Sequence, residues 1–240
     1  MKIALVTGGN KGIGFEVCRN LEQAGCRVLL GARDRALGEK AAERLRSEGL
    51  AEVTCLELDM TREQTVTAAA QQVKAAYGHL DILVNNAGIN VEGDGPPSTA
   101  DLEAVRKVLD INFIGTLRVT QAFLPLVRKA PSGRIVNVSS ELGSMAMNSD
   151  PKWPHYDVKL IGYNASKSAI NMLTVQLAWE LRGTNVKVNS ANPGFTRTDL
   201  NNNMGTQRVE VGAVAATRLA LLEDDGPTGV AISKDGQDPW

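Results

Sequence analysis

Only two histidines and three cysteines occur in 240 residues, and that shortage removes most metal chemistry at once. Cys18, Cys26 and Cys55 share no CxxC spacing, and His79 and His155 lie far from all three in sequence, so no metal is expected. An odd cysteine count in a chain this large predicts free thiols, a reducing compartment and a cytoplasmic location. Long apolar runs are also lacking. The opening Met1-Lys2-Ile3-Ala4-Leu5-Val6 is too short for the apolar core of a signal peptide. Nothing later approaches the roughly 20 apolar residues of a membrane span, so no membrane association is expected. Charge of one sign is not in excess either: 26 Lys+Arg face 27 Asp+Glu, for a net charge of -1. A nucleic-acid binder gathers basic residues on one face to neutralise phosphates, and no such run appears. Internal repeats, low-complexity tracts and heptads are missing as well.

What is present reads as an ordinary globular chain, 43% apolar and 22% charged. A chain of this length buries about 70–75% of its unfolded surface, so a single domain over 1–240 is expected. Short aliphatic runs alternate with longer segments of helical periodicity, which predicts a parallel sheet. The strands are placed at Lys2–Thr7, Arg27–Ala32, Val53–Leu58, Leu80–Asn85, Arg134–Ser139, Asn185–Asn189 and Gly229–Ser233. Helices are placed at Gly12–Ala24, Arg35–Glu48, Arg62–Tyr77, Ala100–Val127 as two joined helices, Ile161–Arg182 and Glu210–Leu222. Continuously apolar strands are those of a sheet covered on both faces. The expectation is therefore an α/β, doubly wound Rossmann-type domain of about seven parallel strands. Three loops, 90–99, 143–160 and 200–208, lie near the carboxyl ends of strands, where such sheets bind ligands.

The first strand runs into Thr7-Gly8-Gly9-Asn10-Lys11-Gly12-Ile13-Gly14 and then a periodic helix. Glycines there permit a tight turn and let the backbone approach a pyrophosphate, whose charge suits the free N–H groups of a helix start. Strand and helix flank the motif, as a dinucleotide site requires. The second strand ends Ala32-Arg33-Asp34. An acid at the position of Ala32 would accept from a ribose 2′-hydroxyl, whereas Arg33, with Lys11 pointing the same way, attracts a 2′-phosphate. This predicts NADP(H), unless Asp34 rather than Arg33 faces the ribose. Asp59 could accept from the adenine amino group, with Met60 beside the ring. Asn86, Ala87 and Gly88, after Asn85, leave room for ribose. Either segment could equally be a plain turn.

Tyr163 and Lys167 stand four apart on a predicted helix, which stacks both on one face. A free tyrosine has a pKa of about 10, and a nearby ammonium lowers it toward the range useful in acid–base catalysis. Ser140, after the strand ending Val138-Ser139, and Asn112 complete the constellation. Ser140 is preferred to Ser139 because it stands three residues before Gly143. Tyr156 competes only on proximity, since Leu160 occupies the place of its lysine.

In this order, TGxxxGxG, Asn85-Asn86-Ala87-Gly88, Asn112, Ser140–Gly143, Tyr163–Lys167 and Pro193-Gly194 resemble the short-chain dehydrogenase/reductase family over the whole chain. The sequence is most similar to its NADPH-dependent carbonyl reductases. That resemblance implies reduction of a small-molecule ketone or aldehyde, with Tyr163 as proton donor and Ser140 holding the carbonyl oxygen. It implies that Lys167 binds ribose and lowers the Tyr163 pKa, and that Asn112 fixes a relay water. Pro193, Gly194, Thr196 and Thr198 would meet the carboxamide and pyrophosphate. Two departures stand out: a gap of 163 − 140 = 23 positions, longer than the family's usual dozen or so, and Leu37 where a second basic residue is expected, with Arg35 as a substitute. Met145, Met147, Trp153 and His155 in the longer segment could wall the pocket or cover a helix face used in oligomers. Homo-oligomer and monomer both stay open. The alternatives are NAD-dependent alcohol oxidation and a dinucleotide-binding regulator without chemistry.

Overall fold

The computed structural model describes all 240 residues, and its centre is one sheet. The strands are β1 Ile3–Thr7, β2 Arg27–Ala32, β3 Val53–Glu57, β4 Ile82–Asn85, β5 Gly133–Val138, β6 Val186–Ala191, β7 Ala231–Ser233 and β8 Gly236–Asp238. Their order is β3-β2-β1-β4-β5-β6-β7-β8. The pairs from β3 to β7 are parallel and β8 returns antiparallel. The chain winds outward from β1 to β3, then crosses back to β4, so the strand order reverses at β1/β4. Crevices for ligands open at the carboxyl ends of strands beside such a reversal.

Helices fall at α1 Gly12–Gln23, α2 Arg35–Ser47, α3 Glu63–Tyr77, α4 Leu102–Leu109, α5 Thr116–Val127, α6 Met145–Asn148, α7 Ile161–Glu180, α8 Val209–Gly212 and α9 Val214–Ala220. Along β1, Ala4 and Val6 pack with α1, α2 and α9, whereas Ile3 and Leu5 pack with α3, α5 and α7. Alternate residues of one strand thus feed two cores, which is why the central strands are apolar throughout. Edge strand β3 is the exception, with Thr54 and Glu57 exposed.

Three details depart from expectation. The sheet has an eighth strand, made by a hairpin after Ser233 in which Gly236 has φ 138°. The helical run 100–127 starts at Leu102, capped by Asp101, and contains a π turn over Asp110–Gly115 between α4 and α5. The helix expected over 210–222 breaks at Ala213 into α8 and α9. Gly212 there lies against Thr196, where a Cβ would come 2.4 Å from the hydroxyl.

Candidate active site

The glycine turn is bolted to the end of β4. Thr7 Oγ1 accepts from the backbone N–H groups of Asn86 (2.9 Å) and Ala87 (3.0 Å), and Asn86 Nδ2 donates to the Thr7 (2.9 Å) and Gly8 (3.2 Å) carbonyls. Side chains would break this contact: a Cβ on Gly14 would sit 2.3 Å from Asn86 Nδ2, and Gly8 has φ 63°. The start of α1 has no side-chain cap and no acid in its first turn. A tight, uncapped helix start is a cradle for an anionic group, and Asn10, Gly12 and Ile13 lie in or beside it. Thr198 reaches over it, its methyl 3.5 Å from where a Gly12 Cβ would be.

At the end of β2, Asp34 accepts from Leu37 N (3.0 Å) and caps α2, so its carboxylate is committed. Arg33 and Arg35 are exposed and form no ion pair. Lys11 instead pairs with Asp199 at 2.7 Å, because the loop after β6 brings that carboxylate over the turn. Asp59 Oδ1 accepts from the Thr61 N–H (3.0 Å) and hydroxyl (2.7 Å), the turn geometry that its sequence also allowed. Met60 is buried under Gly115 of the π turn rather than exposed beside the site.

Ser140 leaves β5 in extended conformation and its Oγ accepts from Leu142 N at 3.2 Å. The following turn must nestle on α7: a Cβ on Gly143 would lie 2.7 Å from the Lys167 carbonyl carbon. Ser139 is used otherwise, donating to Asn171 Oδ1 (2.6 Å) and buried at 3% exposure. Tyr163 and Lys167 are both buried, with Nζ 5.5 Å from the phenol ring centre and donating to the Val138 carbonyl at 2.8 Å. Burial pushes the Tyr163 phenol up to about 12, opposed by the Ser140 hydroxyl beside it, and pulls the Lys167 amine down to about 8. The lowered tyrosine that the i, i+4 spacing suggested is therefore not a property of the chain by itself. Loss of hydration outweighs the Ser140 hydrogen bond, and the Lys167 ammonium is directed at the Val138 carbonyl.

Asn112 sits in the π turn, 1% exposed. Its Oδ1 accepts from Ile89 N (2.7 Å), and its Nδ2 donates to the Ile89 carbonyl (2.9 Å) and Ser166 Oγ (3.1 Å). Both Nδ2 protons and one acceptor site of Oδ1 are thus taken by protein. Gly88 lies beneath it, where a Cβ would be 3.7 Å from Lys167 Nζ. Past β6, Gly194 has φ 68° and Thr196 is buried, its hydroxyl donating to the Pro193 carbonyl at 3.0 Å. Gln207 Nε2 holds both the Pro193 carbonyl and Thr196 Oγ1, a role its sequence position does not announce.

The long segment 143–160 folds over this end of the sheet. The His155 ring meets Trp153 at 5.5 Å and Phe195 at 5.9 Å, and His155 Nε2 lies 3.6 Å from Glu141 Oε1. Met172, Val175 and Trp179 on α7 stay exposed. The segment therefore leaves this face of α7 open. Tyr156 belongs to it and faces Lys159 at 4.2 Å, outside the helix.

A family model described as short chain dehydrogenase matches residues 2–209. The chain belongs to the short-chain dehydrogenase/reductase family. It is accordingly an oxidoreductase acting between carbonyl and alcohol groups with a nicotinamide dinucleotide. The (+)-neomenthol dehydrogenase of Capsicum annuum is 31% identical over 301 aligned residues, covering 95% of this chain and 94% of that protein. Carbonyl reductase 1 (NADPH) of Mus musculus is 32% identical, with 99% and 98% covered. Among solved structures, the NADPH-bound carbonyl reductase from chicken fatty liver superposes with a TM-score of 0.85 at 26% identity, over 100% of this chain and 98% of that one. No helix is long and apolar enough to cross a membrane.

Proposed function

We propose that the protein reduces a ketone or aldehyde to an alcohol with NADPH, in the cytoplasm. The observation that carries this reading is the convergence of Ser140, Tyr163 and Lys167 at the carboxyl end of β5, beside the uncapped start of α1. NADPH is favoured over NADH because Asp34 is spent on capping α2 while Arg33 and Arg35 remain free for a 2′-phosphate. The glycine turn would hold the pyrophosphate, Asn86, Ala87 and Gly88 would meet the ribose, and residues from Pro193 to Thr198 would meet the carboxamide side. Held there, the nicotinamide would supply hydride chemistry at the carbonyl carbon.

The chain's own groups manage the oxygen. Ser140 donates a hydrogen bond to it, and Tyr163 Oη gives up its proton as negative charge develops there. The Lys167 ammonium offsets the resulting phenolate, a charge that this buried site disfavours without it. Asn112 holds the Ile89 backbone and Ser166, and the remaining acceptor site of its Oδ1 is available to a relay water. The test follows NADPH and NADH oxidation at equal concentration over a panel of activated ketones and aldehydes. Turnover with NADPH preferred, lost in Tyr163→Phe with nucleotide still bound, is expected. Undiminished turnover in Tyr163→Phe, or no turnover at all, defeats the mechanism, and a preference for NADH defeats the Arg33 argument.

A further inference from the structure

The first turn of α7, which carries Tyr163, has no cap of its own. Its N-cap residue is Leu160, which offers no side-chain acceptor. The first N–H groups of any helix need partners from elsewhere. Here they come from the loop after β4, some seventy positions away in sequence. Asp94 Oδ1 accepts from Gly162 N at 2.8 Å, and Asp94 Oδ2 accepts from the N–H of Tyr163 itself at 2.8 Å. The neighbouring Gly95 carbonyl accepts from Ile161 N at 3.0 Å. The seat is close-fitting: a Cβ on Gly162 would lie 3.1 Å from both Asp94 Oδ2 and the Val105 backbone.

The loop that delivers this carboxylate is itself fixed at both ends. Asn112 brackets Ile89 by N–H and carbonyl, and Asp101, the cap of α4, donates its N–H to the Gly93 carbonyl at 2.9 Å. A single short segment thus runs from the Gly88 edge of the nucleotide cradle, past Asn112, to the backbone of Tyr163.

We infer that Asp94 is a positioning residue, fixing the height of the first turn of α7 and hence the place of the Tyr163 hydroxyl against Ser140 and the carbonyl oxygen. The inference rests on the reductase reading, because it assigns Asp94 a role in that proton transfer. Displacement of a reacting group by about 1 Å can cost on the order of a hundredfold in rate, so loss of this seat acts on kcat. Nucleotide affinity, set mainly at β1, β2 and α1, is not its target.

The test compares wild type, Asp94→Ala and Asp94→Asn in the full chain. Three readouts are taken: kcat and KM for the best carbonyl substrate, the Kd of NADPH, and amide exchange at Gly162 and Tyr163. Asp94→Ala should lower kcat about tenfold or more, with KM and Kd little changed and faster exchange at both amides. Asp94→Asn retains one acceptor oxygen and should fall between Asp94→Ala and wild type; it serves alone if Asp94→Ala does not fold. Faster exchange with unaltered kcat would show a cap without a positioning role and overturn the inference. Parallel loss of nucleotide affinity and kcat in both variants would overturn it too, by revealing general collapse of the loop. A wild type without turnover ends the reductase reading and the positioning role together, while the amides still report whether the cap exists.

Discussion

Lys167 carries an amine where hydration is almost completely lost, and the consequences reach both stability and catalysis. Its folded-state pKa of about 8 lies below the ordinary 10.5, so the unfolded chain binds that proton more tightly. Stability therefore rises as pH climbs from about 8 to 10.5, by about 3 kcal/mol if no other group intervenes. Tyr163 works in the opposite direction: its phenol is held up to about 12, so stability falls between about 10 and 12. Denaturant midpoints measured across this range should climb with pH in wild type between about 8 and 10, and should stay flat there in Lys167→Met. That variant should also lose reductase turnover, since no ammonium offsets the phenolate. Reduction by wild type needs the charged amine, so kcat/KM should decline as pH rises through about 8, well before the phenol titrates. A profile that is level up to pH 10 would contradict this. At this scale the sequence was informative about identity but not about environment. The Tyr–Lys spacing places two side chains on one helix face, yet it carries no record of how dry that face is, and dryness decides the direction of both shifts.

The element that distinguishes this chain is the segment between Ser140 and Tyr163. Composition marked it as a loop of uncertain duty. In the fold it contains a 3-10 turn at Glu141–Gly143 and the short helix α6, and its His155 ring meets Phe195 at 5.9 Å. Phe195→Ala should therefore raise KM for bulky apolar carbonyl substrates several-fold while leaving kcat for small ones near wild type, because it removes a wall and not a catalytic group. Equal effects on large and small substrates would argue against that wall. Most of the other elements were legible in the sequence, since a two-face-covered sheet imposes continuous apolar runs and its helices impose 3.6-residue periodicity. The π turn was not: residues 100–127 keep their apolar periodicity through it, and only the burial of Asn112 betrays the widened ladder. The β7–β8 hairpin left one signal, Gly236, whose φ of 138° at the start of β8 favours glycine. Asp94 left none, because a cap delivered by a distant loop has no spacing rule.

Across the whole molecule, a buried polar row ties the strands to the helices just beneath the site. Asn85 Nδ2 donates to Asn137 Oδ1 (2.9 Å) and Thr120 Oγ1 (3.0 Å). Asn137 Nδ2 donates to Thr174 Oγ1 (2.9 Å), and that hydroxyl meets Ser190 Oγ at 2.8 Å. Asn85, Asn137 and Ser190 are register partners on β4, β5 and β6, so the row fixes the alignment of three strands. Thr174→Val keeps the shape but leaves the Asn137 amide unpaired. It should lower unfolding stability by about 1–3 kcal/mol with nucleotide affinity intact, read from urea titration. A neutral outcome would mean that the row is not cooperative. The even charge balance of the chain conceals the other whole-molecule asymmetry, a helix start at α1 that no side chain caps. Any dinucleotide that settles there adds to the folding equilibrium as well as to the reaction. At a hundred times its dissociation constant it deepens the native well by about 2.7 kcal/mol. In a cell, the lifetime of this protein against proteolysis would then follow the supply of its cofactor.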